Sequence, residues 1–299
     1  MHSNKATLIG LGAIVLWSSI VGLIKGVSVS LGATGGAALM YTVASLLLVL
    51  TIGPTRVSRL PRRYLLWGSL LFVSYELCLA LSIGYSSSNR QAIEVGMVNY
   101  LWPSLTMVAA ILFNGQKSNL LIVPGSLLAL LGICWVLGGD QGLDPAGMAA
   151  NIRANPLSYG LALAGALIWA VYCTVTARIA AGHNGVTLFF MLTALALWGK
   201  YLLIGAPAMS FDLHAVIHLV LAATAMGFGY AAWNVGILHG NVTLLAGASY
   251  FIPVFSAALA ALLLRTALPL SFWQGAAMVC GGSLLCWLAT RGRRATVQD

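Results

Sequence analysis

Aromatic and amide side chains recur at helical spacing inside apolar stretches of this chain. Asn99, Trp102 and Thr106 share one face of a helix by their spacing. Trp169 and Tyr172 begin a similar stripe later in the chain. Buried indole N–H and phenol O–H groups need hydrogen-bond partners, and ring faces attract cations and stack on other rings. This chemistry suits a small aromatic molecule with polar ends, such as an amino acid with a large side chain.

Composition places these stripes in a membrane. The chain has 299 residues, of which 60% are hydrophobic and 7% are charged, whereas a soluble globular domain carries about 25% charged residues. The net charge of +9 comes mostly from basic residues beside apolar segments, where such residues set membrane orientation. We therefore expect an integral membrane protein that contacts lipid and binds no nucleic acid.

The apolar residues form ten segments of about 20 residues, the length of a helix that crosses the hydrocarbon core. Only helices and closed barrels satisfy the backbone in lipid, and the alternating pattern of barrel strands is absent. The sequence thus predicts an all-α membrane protein with ten transmembrane helices. The segments are 6–26, 33–53, 64–84, 91–113, 119–138, 157–179, 185–206, 214–238, 241–264 and 269–290.

The distribution of basic residues predicts the orientation of the chain. With the N-terminus in the cytoplasm, ten of the fifteen lysines and arginines fall on the cytoplasmic side, as the positive-inside rule requires. Both termini are then cytoplasmic, and the compact loops favour a bacterial inner membrane. The remaining five basic residues, expected outside near helix ends, are Lys25, Arg90, Arg153, Lys200 and Arg265.

The sequence indicates two copies of one unit. NYLWP at 99–103 matches SYFIP at 249–253, so that Pro103 pairs with Pro253 at an offset of 150 (253 − 103). Because each copy has five spanning segments, the second must enter the membrane from the opposite side, which gives two inverted five-helix repeats. The expected divisions are a first repeat over 1–138, an extracytoplasmic connecting loop over 139–156, a second repeat over 157–290 and a basic cytoplasmic tail over 291–299.

Pro103 and Pro253 each interrupt a spanning segment near its middle. A proline inside a helix leaves the carbonyl four residues earlier without its hydrogen bond, here the carbonyls of Asn99 and Ser249. Such breaks are tolerated in a membrane where the backbone faces protein or a wet cavity. We expect two helices bent at mid-depth, either to gate a cavity or simply to improve helix packing.

Tryptophan and tyrosine normally gather at the membrane interfaces, but here several lie near the centres of segments. Lipid offers their polar groups no partner at that depth, so the side chains should face the interior. They could serve ordinary packing or line a midplane cavity, and their matched depth in both repeats favours the cavity. The predicted substrate-binding residues are Trp17, Tyr75, Asn99, Tyr100, Trp102, Trp169, Tyr172, Trp233, Asn234 and Tyr250.

Two acidic residues lie within spanning segments, Glu76 centrally and Glu94 nearer an end. Ionisable groups inside a membrane are costly and usually functional. Glu76 could carry a proton or pair with a substrate ammonium, or it could be held protonated or hydrogen-bonded between helices. Glu94 is expected at the outer rim beside Arg90, its neighbour four residues earlier.

Motifs for other chemistry are missing. Gly199 and Lys200 lack the spacing of a Walker A loop, and no HExxH or GxSxG sequence occurs. His214 and His218 have the spacing of a metal pair, but no third ligand is evident. We therefore expect no enzyme activity, no cofactor, no bound metal and no requirement for an ATPase subunit.

The two five-segment copies, with LWSS at 16–19 opening the first and a proline in the fourth segment, resemble the drug/metabolite transporter superfamily and its EamA-type repeat. VGMVNYLWPSLTM at 95–107 is similar to the aromatic amino acid exporter branch. The resemblance implies export of aromatic amino acids across the inner membrane. It also implies a central cavity lined by helices one, three, four, six, eight and nine, with Trp17, Tyr75, Tyr100, Trp102 and Trp169 in its wall.

One part of the family pattern does not transfer. Small multidrug members use an essential glutamate in the first helix, whereas residues 6–26 here contain no acid. Facilitated diffusion and proton antiport therefore both stay open as energy sources. The sequence favours a secondary exporter of amino acids that works by alternating access through a midplane cavity. The alternatives are an exporter of other hydrophobic metabolites or drugs and, from another class, a membrane enzyme or channel.

Overall fold

The computed structural model describes residues 3–290, apart from the side chains at 237, 238, 242 and 243. The predicted basic tail, 291–299, lies outside this range. Over residues 3–290 all regular structure is helical. The helices are α1 (Ser3–Leu31), α2 (Ala33–Thr51), α3 (Ser69–Gly84, entered through a π-helical turn, Tyr64–Gly68), α4 (Asn89–Asn99), α5 (Trp102–Asn114), α6 (Ile122–Leu137), α7 (Pro145–Ala154), α8 (Pro156–Ile179), α9 (Val186–Leu203), α10 (Leu213–His239), α11 (Val242–Ser249), α12 (Ile252–Leu263) and α13 (Leu270–Thr290).

The helices have the length and composition of membrane spans. Within residues 3–290, eight helical stretches are long and apolar enough to cross a membrane, and α4 with α5 counts as one of them. Two shorter apolar helices, α6 and α12, accompany them. Leucine, valine and phenylalanine side chains cover the outer surface of the bundle, which is where lipid would be the solvent. The chain is therefore an integral membrane protein of helical class.

Two of the predicted spans are broken at the proline motifs. α4 ends at Asn99 and α5 begins at Trp102, so that Pro103 lies in the first turn of α5. Pro253 lies in the first turn of α12 in the same way, after α11 ends at Ser249. The first-turn N–H groups of a helix have no partner inside the helix, so a proline costs little there. The chain thus starts a new helix at each motif and does not bend one helix.

Two local features differ from the sequence analysis. α1 continues to Leu31 and is separated from α2 only by Gly32, whose φ of 73° suits glycine. Lys25 therefore lies inside a helix and not near its end. The segment 139–156, expected to be a loop, contains α7, which begins with Pro145 after Asp144 accepts a hydrogen bond from the Ala146 N–H at 3.0 Å.

The helices pack in related pairs. α1 packs against α10 and α12, while α8 packs against α3 and α5. α6 packs along α13, and α2 packs along α9. Phe72 of α3 and Phe189 and Phe190 of α9 form a fully buried aromatic core between these two helices. These contacts leave an open volume between α1, α3, α4, α8 and α10.

Candidate functional site

A cavity of about 300 Å³ lies among these helices. This volume is at the small end of the range for ligand sites, about 300–1,000 Å³, and suits a molecule of amino acid size. Residues of α1, α3, α4, α5, α8 and α10 line it, together with Ser249 and Ile252 at the α11–α12 break. Its aromatic residues are Trp17, Tyr75, Tyr100, Trp102, Trp169, Tyr230 and Trp233.

Five of the seven aromatic residues form two groups. In the first, the Trp17 ring lies 5.2 Å from the Tyr230 ring, edge to face, and 5.3 Å from the Trp233 ring. In the second, the Trp169 ring lies 4.3 Å from that of Tyr75. Rings held by other rings in these arrangements keep a fixed orientation. The cavity therefore presents preformed aromatic surfaces from α1 with α10 and from α3 with α8.

Two hydrogen-bond donors in the lining have no partner among residues 3–290. They are the indole Nε1 of Trp17 and the amide Nδ2 of Asn99, both buried. A buried donor without a partner costs about 1–3 kcal/mol, which a bound acceptor would recover. A glycine makes room for the Trp17 ring, because a Cβ on Gly229 would lie 2.6 Å from Trp17 Nε1.

Glu76 supplies the one carboxyl group in the described lining, which contains no lysine, arginine or histidine. The residue is fully buried. Its Oε2 accepts a hydrogen bond from the Tyr41 hydroxyl at 2.6 Å, and its Oε1 accepts one from the Tyr230 hydroxyl at 3.0 Å. Since Tyr230 also contacts Trp17, the carboxyl group fixes part of the aromatic wall and joins α2, α3 and α10.

The structure brings most of the predicted residues together. Seven of the ten predicted substrate-binding residues line the cavity, with Glu76 as an eighth predicted residue. The seven are Trp17, Tyr75, Asn99, Tyr100, Trp102, Trp169 and Trp233.

Tyr172, Asn234 and Tyr250 are not among the lining residues. The Tyr172 ring stacks on Trp169 at 4.8 Å, behind the wall. The Tyr250 ring lies 6.2 Å from that of Trp287. Helical spacing defines a broad face, and it does not separate the residues that reach a cavity from those that support them.

Several lining residues were not predicted as binding residues. Tyr230 and Cys173 follow the same helical spacing as Trp233 and Trp169, and that spacing was a usable signal. Gly96 lies three residues before Asn99 and lines the cavity because it lacks a side chain. Ile20 and Met226 also line it, and their types carry no signal in an apolar helix.

A second, polar cavity of about 450 Å³ lies at the N-terminal end of α4. Arg90 forms ion pairs with Glu94 at 3.0 Å and with Asp140 at 2.8 Å. The Tyr159 hydroxyl donates to Glu94 at 2.7 Å, and the Asn155 amide donates to Gln91 at 2.8 Å. These contacts tie α4 to α8 and to the segment that follows α6.

A bundle of membrane-length helices around a cavity with aromatic walls is the architecture of a membrane transporter for small molecules. The EamA-like transporter family matches residues 156–288. The chain belongs to this family, as its sequence predicted, and near full-length relatives support the assignment.

The chain is 64% identical over 293 residues to the aromatic amino acid exporter YddG of Salmonella typhimurium (strain 14028s / SGSC 2262), covering 98% of this chain and 100% of that protein. It is 64% identical over 291 residues to the protein of the same name from Escherichia coli (strain K12), covering 97% and 99% of the two chains. A solved crystal structure superposes with a TM-score of 0.67 at 25% identity, covering 96% of this chain and 98% of that one.

Proposed function

We propose that this protein exports aromatic amino acids, namely phenylalanine, tyrosine and tryptophan, from the cytoplasm as a secondary transporter. The observation that carries the proposal is the cavity itself, with aromatic walls and two unpartnered donors, Trp17 Nε1 and Asn99 Nδ2. The names of the two 64% identical relatives support the same substrate class.

The lining suggests how a zwitterion would bind. The substrate ring stacks among the rings of Trp17, Tyr75 and Trp169, where ring contacts add to the apolar gain. The carboxylate accepts from Asn99 Nδ2 and Trp17 Nε1, and a hydrogen bond to a charged partner is the stronger kind. The ammonium group turns toward ring faces and the Glu76 carboxyl group.

We further propose that the ten predicted spans form two inverted repeats. The pairing of α1 with α10 corresponds under a five-span repeat to that of α8 with α3, and α1 with α12 corresponds to α8 with α5. The helix breaks at 99–102 and 249–252 occur at matching places. Inverted repeats support alternating access, because the two halves can exchange conformations around a central site.

The location and orientation follow from the same proposal. Export from the cytoplasm places the protein in the inner membrane, with both termini cytoplasmic by the positive-inside bias. The N-terminal end of α4, with Arg90, then faces away from the cytoplasm, and the N-terminal end of α11 faces the cytoplasm.

Counterflow in proteoliposomes tests the function directly. Vesicles loaded with unlabelled tryptophan should accumulate labelled tryptophan transiently, and the rate should saturate with concentration. Phenylalanine and tyrosine should compete, while alanine should compete weakly because it lacks a ring. Absence of counterflow would reject the carrier, and stronger competition by unrelated hydrophobic drugs than by phenylalanine would favour a drug exporter.

A pH gradient separates the two energy sources. If Glu76 carries a proton, a gradient should drive tryptophan uptake in the wild type, and Glu76→Gln should lose that response. If transport is facilitated diffusion, the gradient should leave the rate unchanged in both proteins. In that case Glu76 serves to hold Tyr41 and Tyr230, and Tyr41→Phe should weaken transport less than Glu76→Ala, because Tyr41→Phe keeps the hydrogen bond from Tyr230 to Glu76 and Glu76→Ala removes both.

A further inference from the structure

Lys25 is a buried lysine without an acidic partner. It lies within α1, is 7% exposed, and donates from Nζ to the Ser86 backbone carbonyl at 2.5 Å. Across residues 3–290 both ion pairs of the structure belong to Arg90, and Lys25 takes part in neither. An ammonium group has three N–H donors, and the structure gives one of them an acceptor, which is neutral.

Packing alone does not explain this residue. Burial of a charge without a counter-charge is among the most costly features of a folded protein. A methionine of similar length would fill the same space without that cost. The ammonium group is therefore better explained by an anion that pairs with it at another stage of the protein's work.

Lys25 lies directly beyond one end of the cavity. Val21 lines the cavity four residues earlier on α1, so Lys25 is about 6 Å further along the same side of the helix. The Val21 side chain contacts Gly96 of α4, where a Cβ would lie 2.9 Å from Val21 Cγ2. Val21 and Gly96 therefore pack together in the cavity wall, and Lys25 contacts the Ser86 carbonyl one helical turn further along α1.

The other end of the cavity has no counterpart on α8. The repeat offset that relates Trp17 to Trp169 is 152 (169 − 17), and it relates Lys25 to position 177 (25 + 152). That position is Ala177, which is exposed, and the neighbouring Arg178 is also exposed. A buried cation thus marks one end of the cavity in α1 and is not repeated in α8.

We propose that Lys25 binds the carboxylate of the substrate in a second subsite, between the cavity and the side of the membrane away from the cytoplasm. When the α3–α4 turn separates from α1, the Ser86 carbonyl releases the ammonium group and the substrate carboxylate takes its place. A charged pair of this kind is stronger than the bond to a neutral carbonyl. The inference rests on the proposed function, and it makes Lys25 a residue that selects amino acids over amines of the same shape.

The test compares tryptophan with tryptophanamide, which keeps the ring and the ammonium group but lacks the carboxylate. Half-saturation by tryptophan and inhibition by tryptophanamide are measured in counterflow for Lys25→Met, Lys25→Gln and Lys25→Arg. Lys25→Gln keeps an N–H donor for Ser86 and removes the charge, so it separates carboxylate binding from a structural hydrogen bond. Lys200→Met is the matched control, since Lys200 lies in α9 and does not line the cavity.

We expect Lys25→Met and Lys25→Gln to raise the half-saturation concentration for tryptophan about tenfold. Inhibition by tryptophanamide should change less than about twofold, because its binding does not use the lost charge. Lys25→Arg should restore tryptophan affinity, and Lys200→Met should behave as the wild type. If Lys25→Met does not fold, the result for Lys25→Gln decides. If tryptophanamide inhibits neither the wild type nor the variants, the test is the half-saturation concentration for tryptophan, which Lys25→Gln should raise and Lys25→Arg should restore.

The proposal is overturned if Lys25→Gln leaves the half-saturation concentration for tryptophan unchanged. It is also overturned if the variant loses apparent affinity for tryptophan and for tryptophanamide by the same factor. If the wild type transports tryptophan, either result rejects the second subsite and leaves the proposed function standing. A wild type that moves no aromatic amino acid removes the proposed function, and the subsite falls with it.

Discussion

The two broken spans, α4 with α5 and α11 with α12, use the same backbone device with different side-chain chemistry. Each has a helix end, a short turn with a tyrosine, and a new helix with a proline in its first turn. The α4–α5 span contributes Gly96, Asn99, Tyr100 and Trp102 to the cavity, whereas the described residues of the α11–α12 span contribute Ser249 and Ile252.

The N-terminal ends of the two spans are also held by different contacts. α4 is tied by the ion pairs of Arg90 and the hydrogen bond to Glu94. At the start of α11, the Asn241 N–H donates to Thr7 Oγ1 at 2.8 Å, and the side chain of Leu245 packs against Gly10. The comparison indicates that, of the two broken spans, α4 with α5 contributes more polar and aromatic groups to the cavity wall than α11 with α12.

Gly96 and Ala246 occupy matching positions, at an offset of 150 (246 − 96). Gly96→Leu should reduce tryptophan counterflow to background, because a Cβ already meets Val21 at 2.9 Å and the rest of the side chain enters the cavity. Ala246→Leu should keep at least about a third of the rate, since Ala246 does not line the cavity. Equal loss in both variants would remove the distinction between the spans.

Asn99 and Ser249 form a second matched pair. Asn99→Ala should raise the half-saturation concentration for tryptophan about tenfold, because it removes an unpartnered donor that would bind the carboxylate. Ser249→Ala should change it less than about twofold, since Ser249 Oγ already donates to the Ala246 carbonyl at 2.8 Å. A larger effect of Ser249→Ala than of Asn99→Ala would show that α11 with α12 contributes more to substrate recognition than α4 with α5.

The contacts at the N-terminal ends of α4 and α11 can be removed separately by mutation. Arg90→Met removes both ion pairs and should speed hydrogen exchange of the α4 amides about fivefold, as for a partly exposed pair worth about 1 kcal/mol. Thr7→Val removes the bond to Asn241 and should speed exchange in α11 while leaving α4 unchanged. If either variant shows faster hydrogen exchange in both α4 and α11, the two helix ends are not held independently.

The helix caps offer the smallest and most symmetric comparison. Ser88 Oγ accepts from the Gln91 N–H at 3.0 Å, and Asn241 Oδ1 accepts from the Leu244 N–H at 3.0 Å. Ser88→Ala and Asn241→Ala should each cost about 1 kcal/mol of stability and lower Tm by about 2–4 °C. Thermal unfolding in detergent measures both, and a loss of transport in either variant beyond the loss of folded protein would contradict a purely capping role.

The sequence predicted the apolar helices well because hydrocarbon thickness fixes the length of an apolar helix. Each predicted segment coincides with one helix or with one broken pair. The lining was harder to predict. Trp17 and Trp169 were found from their depth, but Tyr250 lies in a helix break, where helical periodicity no longer tells which way a side chain points.

Lys25 shows a second limit of the sequence reasoning. Its charge suggested a helix end, and a lysine at a helix end reaches the interface. The apolar run of α1 continues to Leu31, however, and the nearby α3–α4 turn supplies the Ser86 carbonyl. A contact 61 residues apart in sequence depends on tertiary packing, which no local pattern reveals.

The central claim, that the aromatic cavity holds the substrate, can be tested with a native thiol. Cys173 lines the cavity, whereas Cys134 does not. In a variant with Cys78, Cys280 and Cys286 replaced by serine, the rate of alkylation by N-ethylmaleimide is followed at both remaining cysteines by mass spectrometry. Saturating tryptophan should slow modification of Cys173 at least about fivefold and leave Cys134 unchanged. Modification of Cys173 at the same rate with and without tryptophan, in a variant that still transports it, would contradict the account.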